Sequence, residues 1–185
     1  MRKEGHYSRV GNKLTVLIGI EPGDIRVPAG QLGSLDNPRQ WVRCLQNSGT
    51  TINHFRDFCD LVCTDIEQNP VMPTDMHRIF IWDNLNSHHA NYVNQTVTGR
   101  GGNTQFSIVA RPPYMPKYGP IEYKICDVSH ECMKKKLPDW DMPRLEREVY
   151  AAAARIGPFD STFQHCGYKW TYDVNGNLIE EQYYI

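Results

Sequence analysis

Two acids in this chain stand where a metal-dependent phosphoryl-transfer site would need them. The apolar run Ile79-Phe-Ile-Trp82 ends in Asp83-Asn84, and His88-His89 follow after three more residues. That pattern predicts a buried strand delivering Asp83 to the edge of a sheet. The second acid, Glu122, follows Arg111-Pro-Pro-Tyr114-Met-Pro116-Lys117-Tyr-Gly-Pro120-Ile. Proline favours the first position of a helix, so Glu122 falls in a first helical turn after a rigid loop. Carboxylates held on separate rigid elements suit Mg²⁺, which prefers hard oxygen donors. Two such ions about 4 Å apart would activate a water or a 3′-hydroxyl and stabilise the leaving oxygen. Three or so carboxylates would hold the pair, and no predicted strand supplies the third. Glu21 and Asp24 open a flexible loop, and Asp127 faces another direction on the Glu122 helix, so all three are weaker candidates.

Each residue also has a plainer role. Asp83 could cap a turn through its side chain, with Asn84 helping, and Glu122 could simply complement a helix dipole. Their joint occurrence on either side of a proline loop favours the metal-binding reading. Asn84 and His88, with His89 beside it, could face a bound phosphate, or they could be helix-start surface residues. Arg111 and Lys117 could hold nucleic-acid phosphates, contacts that position a substrate without reading its sequence. Tyr114 could stack on a base or deoxyribose, or pack a rigid corner with Pro112 and Pro113. Cys59 with Cys63, and Cys126 with His130 and Cys132, lack the two-residue loop spacing of zinc sites and read as packing residues.

At 185 residues the chain suggests one domain, large enough to bury roughly 70% of its unfolded surface without disulfide staples. Its formal net charge is -1, so the whole-surface basic field of many nucleic-acid binders is absent. Basic groups are local: Arg100, Arg111, Lys117, Lys124 and the run Lys134-Lys135-Lys136. No stretch approaches the ~20 apolar residues of a membrane span. The N-terminus has no apolar signal-like core, so secretion is not expected and the six cysteines are expected as thiols.

The elements that must position these groups follow from periodicity. Lys13–Ile20 and Gln40–Gln46 predict a hairpin interrupted by a Gly- and Pro-rich excursion, 21–38. Thr51 is a helix N-cap, and the helix to Gln68 carries a buried stripe at Ile52, Phe55, Cys59, Val62 and Ile66. Asp60, Asp65 and Glu67 read as its solvated face. A strand over 78–83, a short helix over 87–97 burying Ala90, Val93 and Val97, and a strand over 105–110 follow. The Glu122 helix spans 120–136, with Ile121, Ile125, Val128 and Cys132 facing inward. Pro143 starts another helix, a short one precedes Gly167, and Asn175-Gly176 marks a terminal hairpin.

The segments Asp83-Asn84-x-x-x-His88 and Arg111-Pro-Pro-Tyr114-x-Pro116-x-x-x-Pro120-Ile-Glu122 resemble the catalytic domain of mariner-type transposases in the DDE superfamily. The resemblance spans about Leu14 to Gly167. It implies an α/β, ribonuclease H-like fold, a mixed sheet flanked by helices, with Asp83 and Glu122 as the second and third acids of a catalytic triad. It also implies Mg²⁺ (or Mn²⁺), double-stranded DNA as partner, cleavage and strand transfer as activity, a nuclear (or cytoplasmic) location and a possible homodimer. By that comparison 1–12 is a short N-terminal segment, 13–167 the catalytic domain with 21–38 inserted, and 168–185 a hairpin or tail.

Three departures matter. The strand with the first catalytic Asp is expected to be missing, Met1 to Asn12 holding no Asp; Gly119 stands where the family commonly has Asn; and the N-terminal DNA-binding region is not seen. The missing strand lies centrally in the family's sheet, so an open slot is expected, filled by Met1 to Val10, by the C-terminal hairpin or by another chain. A closed sheet built from Lys13 onward would overturn that expectation. With two acids the chain is expected to be inactive by itself; the alternatives are a non-catalytic nucleic-acid- or protein-binding module, or a different nuclease on the same fold.

Overall fold

The computed structural model describes residues 13–24, 26–71, 77–82, 90–111, 116–135, 141–172 and 178–182, the last two strands by their backbone. The elements run β1 (Leu14–Ile20), β2 (Gln40–Gln46), α1 (Ile52–Gln68), β3 (His77–Trp82), α2 (Asn91–Thr98), β4 (Gln105–Ala110), a 3-10 turn (Pro116–Tyr118), α3 (Pro120–Lys135), α4 (Met142–Arg155), α5 (Asp160–His165), β5 (Lys169–Tyr172) and β6 (Leu178–Gln182).

Local chemistry accounts for most boundaries. Thr51 caps α1 through its hydroxyl, which accepts from His54 N, while the His54 ring accepts from Thr51 N. Asp141 caps α4 through its carboxylate alone, which accepts from Arg144 N at 2.8 Å. Gly167, with φ +93°, takes the left-handed conformation that ends α5.

Alternation along β1 and β2 buries both faces of the hairpin. Leu17 and Trp41 point to one core, built on Phe55, Phe58, Cys59, Val62, Cys63 and Ile66 of α1 together with Trp82, Val93, Val97 and Phe106. Val16, Ile18, Val42 and Cys44 point to the other, built on Val128 and Cys132 of α3 and Val149, Ala152 and Ala153 of α4. Helices thus cover the sheet layer from both sides, the α/β, ribonuclease H-like arrangement that the resemblance implies. No helix among the described residues is long and apolar enough to cross a membrane.

The strands do not close into one sheet. β1 and β2 pair antiparallel, Leu14 opposite Gln46, and β3 and β4 pair parallel, Trp82 opposite Ala110. Each pair is a separate two-stranded unit, so among the described residues no ladder crosses the break between hairpin and parallel pair, where the resemblance places the open slot. An ion pair between Glu21, just past β1, and Arg78 on β3 spans it. The C-terminal hairpin does not fill it, because β5 and β6 pair with each other as a third unit. Met1 to Val10 lies outside the described residues.

Two expectations about helix faces are corrected. On α3 the buried line is Pro120, Lys124, Val128 and Cys132, whereas Ile125 is 45% exposed. Residues four apart share a helix face, and Ile125 lies one residue off that line. Lys124 can join it because its ammonium reaches Ala153 O (2.7 Å) and Ile156 O (2.6 Å). On α1, Asp60, Asp65 and Glu67 are not merely solvated: Asp65 accepts from Arg39 and Trp41, and Asp60 and Glu67 grip Arg100.

Candidate active site

The site is built at the C-terminal ends of the parallel pair. Trp82 is the residue before Asp83 and the last of β3. Its carbonyl accepts from Arg111 N at 2.8 Å, which extends the ladder one residue past β4. Arg111 then turns its side chain towards α3, and Nη2 donates to Glu122 Oε1 at 3.0 Å. One residue therefore ties the end of the Asp83 strand to the carboxylate on the first turn of α3. The second core fixes the helix against the hairpin, and Pro120 with the preceding 3-10 turn fixes where it starts.

Arg111 is 91% buried, since it is 9% exposed, while the Glu122 side chain stays 42% exposed. The carboxylate is therefore reachable from solvent although its partner is not. The guanidinium lies against Gly119, where an added Cβ would stand 1.5 Å from Nη1 and 2.6 Å from Cζ. Nη1 is buried and makes no hydrogen bond among the described residues. Gly119 is needed here for space, because its backbone φ is not in the left-handed region.

Of the other expected site residues, Lys117 is exposed on the 3-10 turn with its ammonium 4.9 Å from the centre of the Tyr118 ring. Tyr168 donates to Tyr118 O at 3.1 Å and holds that turn from behind. Asp83, Asn84, His88 and Tyr114 lie outside the described residues. Arg100 and Lys124 are not available for phosphates: Arg100 is engaged with Asp60, Thr64 and Glu67, and Lys124 is buried.

Two of the three weaker acid candidates are occupied. Burial pushes the Glu21 carboxyl up, against the pull of the Arg78 and Arg39 guanidinium groups, and its oxygens face those two arginines. Burial would also raise Asp24, but the hydrogen bonds from Arg26 outweigh it and hold that carboxyl below its ordinary range. Asp127 is exposed on α3.

No group of three or more His, Cys, Asp or Glu side chains that could hold a metal ion occurs among the described residues. By themselves these residues do not fit a divalent cation: they offer Glu122 alone, and it already has a cationic partner. Sequence reasoning missed that partner. The signal was faint: a glycine at 119 in place of the expected Asn, and an arginine at the head of the proline loop.

The family model described as DDE superfamily endonuclease matches residues 29–141, more than half of the chain, from the excursion loop to the cap of α4 and including Asp83, Arg111 and Glu122. No curated protein and no solved structure matches.

Proposed function

The chain belongs to the DDE superfamily endonuclease family, and on that premise we propose that it is a mariner-type transposase catalytic domain whose metal carboxylates are Asp83 and Glu122. When bound, magnesium or manganese would supply Lewis-acid activation for cutting DNA and joining 3′-hydroxyls. The observation that most supports this reading is the link from Trp82 O through Arg111 to Glu122, which joins the ends of both acid-bearing elements. Lys117, exposed on the adjoining turn, would hold a backbone phosphate. A third carboxylate has to come from elsewhere, so this chain alone should cleave weakly or not at all. Double-stranded DNA is the partner, and a nuclear location follows from it.

The test is a supercoiled-plasmid nicking assay in Mn²⁺ with the chain and its Asp83→Ala and Glu122→Gln variants. Any metal-dependent nicking should disappear in both variants. Nicking that survives Asp83→Ala would refute the site.

A second reading has its own support. Arg111 occupies the Glu122 carboxylate, which suits a domain that kept the fold and lost the chemistry. Such a module would bind DNA or protein with the same affinity in EDTA as in Mn²⁺.

A further inference from the structure

We infer that Arg111 is a built-in counter-ion of Glu122, seated by the missing side chain at Gly119, and that it competes with divalent cations for that carboxylate. The inference rests on the reading of Glu122 as a metal carboxylate and adds what this chain does to it. Three observations carry it. The guanidinium of a nine-tenths buried arginine donates to Glu122 Oε1 at 3.0 Å. Its other terminal nitrogen, also buried, has no hydrogen-bond partner among the described residues. The space that it fills is space that a Cβ at 119 would take, with 1.5 Å between Cβ and Nη1.

The electrostatics point the same way. Arg111 sits beside the first turn of α3, the positive end of the helix dipole, where a cation is disfavoured. Glu122 is the acid within hydrogen-bonding distance that offsets this. A divalent ion arriving at Glu122 would have to displace the guanidinium or share the carboxylate with it, against repulsion between like charges. A charge-assisted hydrogen bond contributes enough for its removal to strengthen cation binding by about tenfold or more.

The experiment is a Mn²⁺ titration of the full chain, followed by calorimetry and water-proton relaxation, with Arg111→Met and Gly119→Ala. Each is also made together with Glu122→Gln, and thermal melts confirm that each variant folds. Gly119→Ala expels the guanidinium without deleting it, so it keeps the question answerable if Arg111→Met folds poorly. The expected result is Mn²⁺ binding about tenfold tighter in both variants than in the parent chain, and loss of that gain with Glu122→Gln. If the parent binds Mn²⁺ through Glu122 as tightly as the variants do, the counter-ion inference is overturned while the metal-site reading stands. If Glu122→Gln changes Mn²⁺ binding in no background, both are overturned.

Discussion

Arg39 and Arg111 are both buried arginines beside a carboxylate, and they sit at opposite ends of helices. Arg39, 2% exposed, lies at the C-terminus of α1. It donates to Asn69 O and Asp65 O, both at 3.0 Å, and to Asp65 Oδ2 at 2.8 Å. There the dipole and the orphan carbonyls both favour a cation. Lys124 repeats the arrangement at the end of α4, on Ala153 O and Ile156 O, with the Phe159 ring 4.7 Å away. Arg111 meets the start of α3, where among the described residues its side chain finds no carbonyl acceptor and is held by one half-exposed acid. Burial alone therefore does not separate a structural cation from a replaceable one. The helix end that it faces, and the number of acceptors it finds there, do.

The largest effect expected from this contrast is at Arg39. Arg39→Met leaves Asp65 and two carbonyls of α1 short of a donor, and should lower unfolding free energy by about 3–5 kcal/mol in a urea titration. A loss below about 1 kcal/mol would end the comparison.

Lys124 gives a pH test. Burial lowers its pKa from 10.5 to about 8, against the pull of Asp127. Below about 8 both folded and unfolded chains carry the charge, and the cost of burying it is fully present. Between 8 and 10.5 the unfolded chain keeps a proton that the folded chain has released, so stability rises with pH. The stability of the parent chain relative to Lys124→Met should thus be flat below pH 8 and climb by at most about 3 kcal/mol towards pH 10.5. A difference that does not change across that window would mean the carbonyls and the Phe159 ring hold the ammonium charged.

The smallest effect should be at Arg111. Its deletion removes one hydrogen bond to a half-exposed acid and relieves an unfavourable dipole contact. Arg111→Met should therefore change stability by less than about 1 kcal/mol in the same urea titration. A loss as large as that at Arg39 would make Arg111 a structural cation after all and weaken the case for competition with a metal.

The hairpin, the α1 stripe from Phe55 to Ile66, the Thr51 cap and the proline start of α3 were all legible in the chain, because each rests on contacts within a few residues, whereas Ile52, expected in that stripe, is 38% exposed. Val93 and Val97, expected to face inward, are fully buried. The misses share a cause. Lys124 and Ile125 exchange places relative to simple hydrophobic patterning, because carbonyls 29 and 32 residues away accept the ammonium. Asp65 looked solvated until Arg39, 26 residues distant, reached it. The break in pairing between the hairpin and the parallel pair falls where the family resemblance implies a missing strand; nothing in the periodicity indicates it.

The sequence by itself determined where elements start and stop, which faces are apolar and which acids stand at element ends. Those properties depend on backbone propensity, capping and side-chain period, all local in the chain. Tertiary structure alone decided which cation meets which acceptor: Arg39 and Lys124 at helix C-termini, and Arg111 at a helix N-terminus in the space that Gly119 leaves open. Such pairings depend on the through-space approach of groups far apart in sequence. The strength of an ion pair is set by burial and by the local dipole field, neither of which is written in residue order.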